Sequence, residues 1–239
     1  MKITYNNTTI DFFPEDLKEI MFSLSGGTDS ASLLYLICTN FPKMKIRPYN
    51  MLDINHPFDT ECARDVLSWF KTNFPKQQIE ELELYPFDDL DPNYQEKAKK
   101  ILNVNPGYYT AVRGVVKILK GREIHAQIRK KYPQLLKVTG MSKNPSFEDM
   151  KNYDNTILFN NREHRRDGIR EQMQSGLYQP YLNVDKKFIA DIFKKHNLMD
   201  DLFERTGSCV GSANVTNGFS EPCKDCWWCH EKRWAFGEF

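Results

Sequence analysis

The fold is decided by one continuous stretch near the amino end, Lys18-Glu19-Ile20-Met21-Phe22-Ser23-Leu24-Ser25-Gly26-Gly27-Thr28-Asp29-Ser30, and by the apolar residues that follow it. Residues 18–24 have the apolar pattern of a buried strand. Residues 31–39 continue as an apolar helix of about three turns. The stretch therefore predicts a strand, a tight loop over residues 25–30 and a helix, in that order.

The loop over residues 25–30 has the composition of a phosphate-binding turn. Its two glycines, Gly26 and Gly27, let the backbone curl and approach a ligand closely. The first turn of the following helix has unpaired amides, and the helix dipole favours an anion beside them. The alternative is a serine-glycine turn that does no more than cap the helix.

The side chains of the loop can add to such a site. The hydroxyls of Ser25 and Ser30 are donors, and Asp29 can hold Mg²⁺ against phosphate oxygens. The loop lacks the lysine of the Gly-x-x-x-x-Gly-Lys-Ser/Thr motif, which argues against transfer of a terminal phosphate. We expect Asp29 and Ser30 to be catalytic. We expect the nucleotide to be bound by the strand end and the whole loop, namely Ser23, Leu24, Ser25, Gly26, Gly27, Thr28, Asp29 and Ser30.

Strand-like and helix-like patterns alternate along most of the remaining chain. Strands are predicted over residues 45–52, 79–85 and 135–139, the first of them weakened by Pro48. Helices are predicted over residues 59–70, 186–196 and 198–204, with Asp59 and Asp185 as N-caps, and two or three helices are predicted around residues 93–101, 108–119 and 123–131. This alternation predicts an α/β fold, a doubly wound parallel sheet with helices on both faces. His56 follows the second strand, at the edge where open parallel sheets bind ligands, and is a candidate catalytic residue.

Composition suggests a division of the chain at residue 204. We expect residues 1–204 to form the α/β domain and residues 205–239 a small metal-binding lobe. Residues 141–176 are polar and aperiodic, which is typical of a lid or a substrate loop. Within them, Arg162, Arg165, Arg166 and Arg170 could grip a carboxylate, a phosphate or RNA, or could line a solvated helix face. A second basic stretch, over residues 117–131, is typical of a solvated face.

Length and charge exclude several classes of protein. The chain has 239 residues, 40% of them hydrophobic, which is enough for a sizeable core and excludes a disordered chain. With 33 Lys and Arg against 32 Asp and Glu, the net charge is +1, so nucleic acid is not an expected partner. The amino terminus lacks the apolar core of a signal peptide, and the longest apolar run, residues 33–38, is too short to span a membrane. We expect a cytoplasmic protein without a membrane partner; a homodimer is compatible with the sequence.

Four of the six cysteines are clustered near the carboxy end. They are Cys209 and the run Cys223-x-x-Cys226-x-x-Cys229. Four thiolates complete a tetrahedral zinc site with no open position, so we expect a structural Zn²⁺. The spacing disfavours disulfides. An iron–sulfur cluster is the alternative metal centre.

The loop Ser25-Gly26-Gly27-Thr28-Asp29-Ser30 resembles the pyrophosphate loop of the N-type ATP pyrophosphatases, the PP-loop family. The resemblance implies an adenine-nucleotide α-hydrolase fold that binds ATP and Mg²⁺ and cleaves ATP between the α- and β-phosphates. An acceptor oxygen would be adenylated, and a nucleophile would then displace AMP. Loop amides, a helix end and Mg²⁺ would stabilise the charge that builds on the pyrophosphate.

A wider similarity, over residues 18–60 and 177–236, is to the 7-cyano-7-deazaguanine synthase family. It is carried by the loop, by Tyr181-Leu182-Asn183-Val184-Asp185-Lys186-Lys187, by Thr206-Gly207-Ser208-Cys209 and by the cysteine run. That family converts 7-carboxy-7-deazaguanine, ammonia and ATP into the nitrile by way of the amide. The resemblance implies that the four cysteines bind zinc and that His56 lies at the site. The chain departs from the family on the substrate side, since Ile54-Asn55 precede His56 where the family has Gln-Arg.

The predicted function is therefore an ATP-dependent carbon–nitrogen ligase that adenylates a small carboxylate of the deazaguanine type, with ammonia as the second substrate. The first alternative is a PP-loop enzyme that modifies RNA by thiolation and needs a reactive thiol. The second is a regulatory module that binds a nucleotide without turnover.

Overall fold

The computed structural model of the chain describes residues 2–5, 8–12, 17–102, 109–150 and 176–239. An antiparallel hairpin, β1 (Lys2–Tyr5) and β2 (Thr8–Asp11), precedes the main sheet. The main sheet consists of β3 (Glu19–Ser23), β4 (Lys45–Asp53), β5 (Glu83–Phe87), β6 (Leu136–Thr139) and β7 (Leu177–Tyr178). All four pairings in this sheet are parallel, in the order β5-β4-β3-β6-β7. The strand order reverses between β3 and β6, and a crevice at the carboxyl ends of such a pair is where open parallel sheets bind ligands.

The described helices are α1 (Thr28–Asn40), α2 (Phe58–Asn73), α3 (Pro92–Leu102), α4 (Tyr109–Lys131), α5 (Phe147–Met150), α6 (Lys186–Lys195) and α7 (Trp227–Phe236). A π-helical turn over Met199–Phe203 and a 3-10 turn over Ala213–Val215 lie between α6 and α7. None of the described helices combines the length and the apolar character needed to cross a bilayer.

Helices cover both faces of the sheet, as the alternating pattern predicts. Ile20 and Phe22 of β3 point into the main core, which α1, α2 and α6 complete. Met21, between them, points to the opposite face and packs with Ile124 and Ile128 of α4. Since successive side chains of a strand point to opposite faces, a strand that is apolar throughout is buried on both sides. The doubly wound parallel α/β sheet is thus present.

Pro48 is tolerated in β4 because of where it falls. It lies opposite Phe22 of β3, and β4 begins its pairing with β5 one residue later, at Tyr49 opposite Glu83. Before it, Ile46 forms an isolated bridge with Ile79. The missing N–H of Pro48 therefore falls in a gap between two pairings, and no ladder bond is lost.

Three predicted boundaries were wrong. The strand predicted from residue 79 begins at Glu83, and only an isolated bridge marks Ile79. The residues predicted as separate helices on either side of Gly121 form one helix, α4, which continues through the glycine. A side chain at position 121 would come within 3.3 Å of the Met51 side chain, so the glycine permits close packing against β4. The N-cap of α2 is Pro57 instead of Asp59, whose carboxylate accepts from Lys117 Nζ at 2.6 Å.

Two other expectations have different outcomes. Asp185 caps α6 as predicted, with its Oδ1 accepting from the backbone N–H of Lys187 at 2.9 Å. The short helix predicted over residues 198–204 is the π-helical turn. Of the predicted lid, residues 151–175, which include Arg162, Arg165, Arg166 and Arg170, lie outside the described residues.

The carboxy-terminal segment shares the main core. Phe236 of α7 packs with its ring centroid 5.5 Å from that of Phe193 and 4.7 Å from that of Phe203. Helix α7 also lies against α6. The boundary between residues 204 and 205 stays a prediction, but the two parts are joined by buried aromatic rings.

We expect Gly140→Ala to destabilise the protein by about 1–3 kcal/mol, because the added methyl group overpacks a rigid contact. A Cβ at position 140, after β6, would lie 2.7 Å from Asp29 O and 2.9 Å from Ser30 N, both backbone atoms at the start of α1. Urea unfolding followed by circular dichroism measures the change.

Gly114→Ala in α4 is the matched control. Within the described residues, its added Cβ would meet the Trp228 ring at 3.7 Å, an ordinary contact. Alanine is about 1 kcal/mol more favourable than glycine in a helix, so this variant should be at least as stable as the unmodified chain. Equal unfolding midpoints for the two variants would contradict the close approach of residue 140 to α1.

Candidate functional site

The loop of residues 25–30 is held by close backbone contacts. Gly26 has a φ of 80°, in the region that favours glycine, and a Cβ at this position would lie 2.5 Å from Asp59 O of α2. Its own carbonyl oxygen accepts a hydrogen bond from Gly207 N at 3.0 Å. Position 26 therefore leaves no room for a side chain, and the loop backbone is fixed between α2 and the carboxy-terminal segment.

The two serine hydroxyls of the loop stabilise its own turn. Ser25 Oγ and Ser30 Oγ lie 3.1 Å apart, and Ser30 Oγ donates to Gly27 O at 3.0 Å. The N-cap of α1 is Gly27, and among the described residues no side chain caps this helix end. An uncapped helix start has amides and a positive dipole end to offer to an anion. The start of α1 thus has the positive end that the sequence predicts for an anion site, and the two serine hydroxyls stabilise the turn.

The other predicted nucleotide-binding residues occupy different environments. Leu24 is fully buried in the core. Its backbone carbonyl oxygen accepts a hydrogen bond from Asn50 Nδ2 at 2.7 Å. Ser23 is the half-buried last residue of β3. Thr28 is buried, and its hydroxyl donates to Asp29 Oδ1 at 3.3 Å. Asn50 Oδ1 in turn accepts a hydrogen bond from Thr60 Oγ1 at 2.7 Å. A buried polar pair from β4 and α2 therefore holds the backbone that leads into the loop.

Asp29 lies at the point where the strand order reverses, and its carboxylate has two strong donors. Ser142 Oγ, beyond the end of β6, donates to Oδ2 at 2.6 Å. Lys186 Nζ of α6 donates to Oδ1 at 2.7 Å. The side chain of Asp29 is 19% exposed and that of Lys186 is 8% exposed. Lys186 also lies 3.5 Å from Glu231 Oε2 of α7.

Sequence reasoning missed Ser142, Lys186 and Glu231 as neighbours of the loop. Lys186 and Lys187 are adjacent and alike in sequence, yet the side chain of Lys187 is 54% exposed. The one available signal was the position of Lys186 directly after the capping residue Asp185, because a cap fixes the direction of the first helical side chains.

His56 belongs to a buried charged cluster at the carboxyl ends of β4 and β5. Its Nδ1 lies 3.6 Å from Asp53 Oδ2 and 3.3 Å from Asp89 Oδ2. Arg113 of α4, 2% exposed, donates to Asp53 Oδ2 at 2.9 Å and contacts Asp89 Oδ2 at 3.1 Å. The ring of Phe219, from the carboxy-terminal segment, lies 5.2 Å from the His56 ring. Asp53, His56 and Asp89 could offer ligand atoms to a metal ion, but the Arg113 guanidinium already supplies a cation to both carboxylates.

The surroundings of His56 favour its charged form. Burial alone would lower the pKa of the imidazole, yet contacts with the Asp53 and Asp89 carboxylates outweigh burial and raise its pKa above the usual 6.5. For His125, by contrast, burial lowers the pKa of the imidazole to about 4.

The four clustered cysteines come together in space. The sulfurs of Cys209, Cys223, Cys226 and Cys229 all lie within 4.8 Å of one another. Cys229 Sγ is 3.9 Å from Cys223 Sγ and 3.5 Å from Cys226 Sγ. Thiolates bound at about 2.3 Å to one tetrahedral ion are about 3.8 Å apart, so the spacing fits a single ion. In a four-iron cluster each sulfur binds a different iron, which separates the sulfurs further.

The backbone around the cysteines suits anionic sulfur. Cys209 Sγ accepts from Gly211 N at 3.3 Å and from Cys223 N at 3.2 Å. Cys223 Sγ accepts from Cys226 N at 3.3 Å. All six cysteines, each within the described residues, are free of disulfides. The donor set therefore fits a metal centre whose ligands are four thiolates.

The comparisons with known proteins assign no family to the chain. No protein-family model matches it, and no curated protein is similar to it in sequence. The solved structures that it resembles include NMN synthetase from Francisella tularensis, with 12% identity and a TM-score of 0.45 over 94% of this chain and 79% of that chain.

Two further solved structures have a similar degree of likeness. The U34-tRNA thiolase NcsA from Methanococcus maripaludis, solved with its 4Fe–4S cluster, is 14% identical with a TM-score of 0.46, over 93% of this chain and 72% of that chain. The glutamine-dependent NAD+ synthetase from Acinetobacter baumannii, solved with ADP, is 10% identical with a TM-score of 0.44, over 84% of this chain and 34% of that chain. At TM-scores of 0.44 to 0.46, these similarities indicate neither a shared activity nor a shared substrate.

The four cysteines should hold about one metal ion per chain. Plasma emission spectrometry of the purified protein should find zinc at that ratio, and Cys226→Ser should lose it because three thiolates bind far more weakly. Cys38→Ser, at a buried cysteine outside the cluster, is the control and should keep the metal. Iron and inorganic sulfide in place of zinc would contradict the single-ion geometry.

The raised pKa of His56 makes stability depend on pH above 6.5. Because the folded state binds this proton more tightly, the contribution is complete below pH 6.5 and is lost as the pH rises through the raised pKa. Denaturant unfolding from pH 6 to 9 should show the free energy of unfolding falling with pH, and His56→Gln should flatten that fall.

His196→Gln is the control for this measurement. The pKa of His196 is lowered by burial, so its contribution is lost below pH 6.5 instead of above it. An unchanged slope above pH 6.5 in His56→Gln would show that the carboxylates do not stabilise the charged imidazole.

Proposed function

We propose that this protein binds ATP and Mg²⁺ at residues 25–30, cleaves ATP between the α- and β-phosphates and adenylates a carboxylate. The observation that carries the proposal is the position of the loop. An uncapped helix start, a glycine with positive φ and the Asp29 carboxylate meet at the point where the strand order reverses. That combination suits a polyphosphate with its divalent ion.

The chain's own residues have distinct parts in this proposal. The amides at the start of α1 bind phosphate oxygens, and Asp29 orients the Mg²⁺ that neutralises them. Lys186, 2.7 Å from Asp29 Oδ1, adds an ammonium group beside the loop. These groups stabilise charge on the departing pyrophosphate without an acid or base.

The proposed reaction gives the amide in two steps and the nitrile after a further adenylation. An oxygen of the substrate carboxylate attacks the α-phosphorus, the bond from that phosphorus to the bridging oxygen breaks, and pyrophosphate leaves. Ammonia attacks the carbonyl carbon of the acyl adenylate, the bond to the AMP oxygen breaks, and the amide forms with release of a proton. In a third step the amide oxygen attacks the α-phosphorus of a second ATP, pyrophosphate leaves and the nitrogen gives up one proton. Cleavage of the bond from carbon to the AMP oxygen, with loss of the second N–H proton, then gives the nitrile.

The substrate we propose is a 7-carboxy-7-deazaguanine or a closely similar carboxylate. Support comes from the sequence resemblance over residues 18–60 and 177–236, which includes the loop and the cysteine run. His56, whose pKa is raised by the Asp53 and Asp89 carboxylates, lies at the same edge of the sheet and is proposed to face the substrate carboxylate. The four cysteines are proposed to bind structural zinc, because four thiolates leave no open coordination position for catalysis.

The thiolation alternative requires a reactive cysteine, and the described cysteines argue against one. Burial raises the pKa of both Cys38 and Cys62 to about 12, and a thiol that stays protonated is a poor nucleophile. The other four cysteines form the metal-binding group. A reactive thiol would therefore have to be a group other than these six cysteines.

Incubation with ATP, Mg²⁺, ammonium and 7-carboxy-7-deazaguanine should yield AMP and pyrophosphate, with the amide or nitrile detected by mass spectrometry. Asp29→Asn should lower the rate about 100-fold or more, because the orienting charge for Mg²⁺ is lost. Asp65→Asn, at an exposed carboxylate of α2, is the matched control and should leave the rate unchanged.

Three outcomes would overturn parts of this proposal. ADP and phosphate as products would exclude cleavage at the α-phosphate. AMP and pyrophosphate formed with other carboxylates but not with the deazaguanine would exclude the substrate and keep the chemistry. Nucleotide binding without any pyrophosphate above background would indicate the regulatory module.

A further inference from the structure

One buried ammonium group lies between two carboxylates from distant parts of the chain. Lys186 Nζ is 2.7 Å from Asp29 Oδ1, at the start of α1, and 3.5 Å from Glu231 Oε2, in α7. The Glu231 side chain is 2% exposed, and that of Lys186 is 8% exposed. The more exposed partner, Asp29, is the one that a ligand can approach.

The ammonium of this triad faces two carboxylates, and Ser142 Oγ also donates to Asp29 Oδ2 at 2.6 Å. A divalent ion bound at Asp29 would add positive charge beside that ammonium. Such an ion and the Lys186 ammonium would then repel each other across one carboxylate, and Lys186 has a second carboxylate already within 3.5 Å.

Glu231 is held in place by the metal-binding helix. Cys226 is the N-cap of α7, and Cys229 lies two residues before Glu231 in the same helix. The next residue, Lys232, donates to Thr206 O at 3.0 Å, beside Gly207, whose N–H binds Gly26 O. Helix α7, which contains Cys229 and is capped by Cys226, thus contacts two neighbours of the loop, Lys186 and Thr206.

We infer that Glu231 is a positioning residue that takes over the Lys186 ammonium when a divalent ion binds Asp29. This inference rests on the proposed binding of Mg²⁺ and ATP at residues 25–30. In the absence of the ion, Lys186 neutralises Asp29 and keeps the loop in shape. When the ion arrives, Lys186 shifts its pairing toward Glu231, and Asp29 is freed for the metal. The helix of the four-cysteine site thereby sets how readily the loop accepts Mg²⁺.

The experiment measures the Mg²⁺ concentration that gives half-maximal ATP binding, by calorimetry with ATP and MgCl₂. Glu231→Gln keeps the size of the side chain and removes its charge, so Lys186 should compete with Mg²⁺ for Asp29. We expect the half-saturating Mg²⁺ concentration to rise roughly ten-fold. Glu221→Gln, at an exposed acid of the same segment, is the matched control and should behave like the unmodified chain.

A double-mutant cycle separates positioning from a structural role. In a Lys186→Met background no ammonium competes for Asp29, so Glu231→Gln should change the half-saturating Mg²⁺ concentration less than about two-fold. The cysteine-bound metal content and the thermal midpoint of each variant report on folding. Phe236 and Lys232 still anchor α7 in the Glu231 variant, so both readouts should be retained.

The outcomes are distinct. A Glu231→Gln variant that keeps its metal and its fold but has the Mg²⁺ dependence of the unmodified chain overturns the inference and leaves the proposed function intact. An equal rise with and without Lys186 also overturns it, because Glu231 would then act on the ion directly. An unmodified protein that binds no ATP at any Mg²⁺ concentration overturns the proposed function and the inference together.

Discussion

The close approach of backbone to backbone around residues 25–30 is the constraint on which the candidate site depends. Gly26 lies against α2, Gly140 lies against the start of α1, and Gly207 donates its N–H to Gly26 O. A Cβ at position 26 or 140 would come within 2.7 Å of a backbone atom, which real contacts do not allow. The ends of β3 and β6 and the carboxy-terminal segment therefore meet at one loop, and Asp29 is placed between them.

The parts of this arrangement that are local in sequence could be predicted from the sequence. The strand, loop and helix over residues 19–40 follow each other without a break, so apolar pattern and glycine positions are sufficient. The cap at Asp185 is a signal of the same local kind. The cysteine cluster was also predictable, because three of its members lie within seven residues of each other and metal ligands have characteristic spacings.

The partners of Asp29 could not be predicted, because they depend on contacts between remote parts of the chain. Ser142 and Lys186 lie 113 and 157 residues away from Asp29 in sequence. The errors in the helices have the same origin. Gly121 resembles a helix breaker in sequence, yet it lets α4 approach the Met51 side chain closely. The basic residues expected on a solvated face include Lys117, which pairs with Asp59, and Lys120, which pairs with Asp91.

Because Asp29 and Lys186 lie 157 residues apart, the ribosome makes Asp29 long before its ammonium partner. A nascent chain that has not yet reached α6 contains the complete phosphate-binding turn but not the ammonium that compensates its carboxylate. Domains fold as units while synthesis proceeds from the amino end, so this turn acquires its final electrostatic environment late. A ligand that stabilises only the finished turn would favour full-length chains over shorter fragments, and partially made molecules would gain no protection from it.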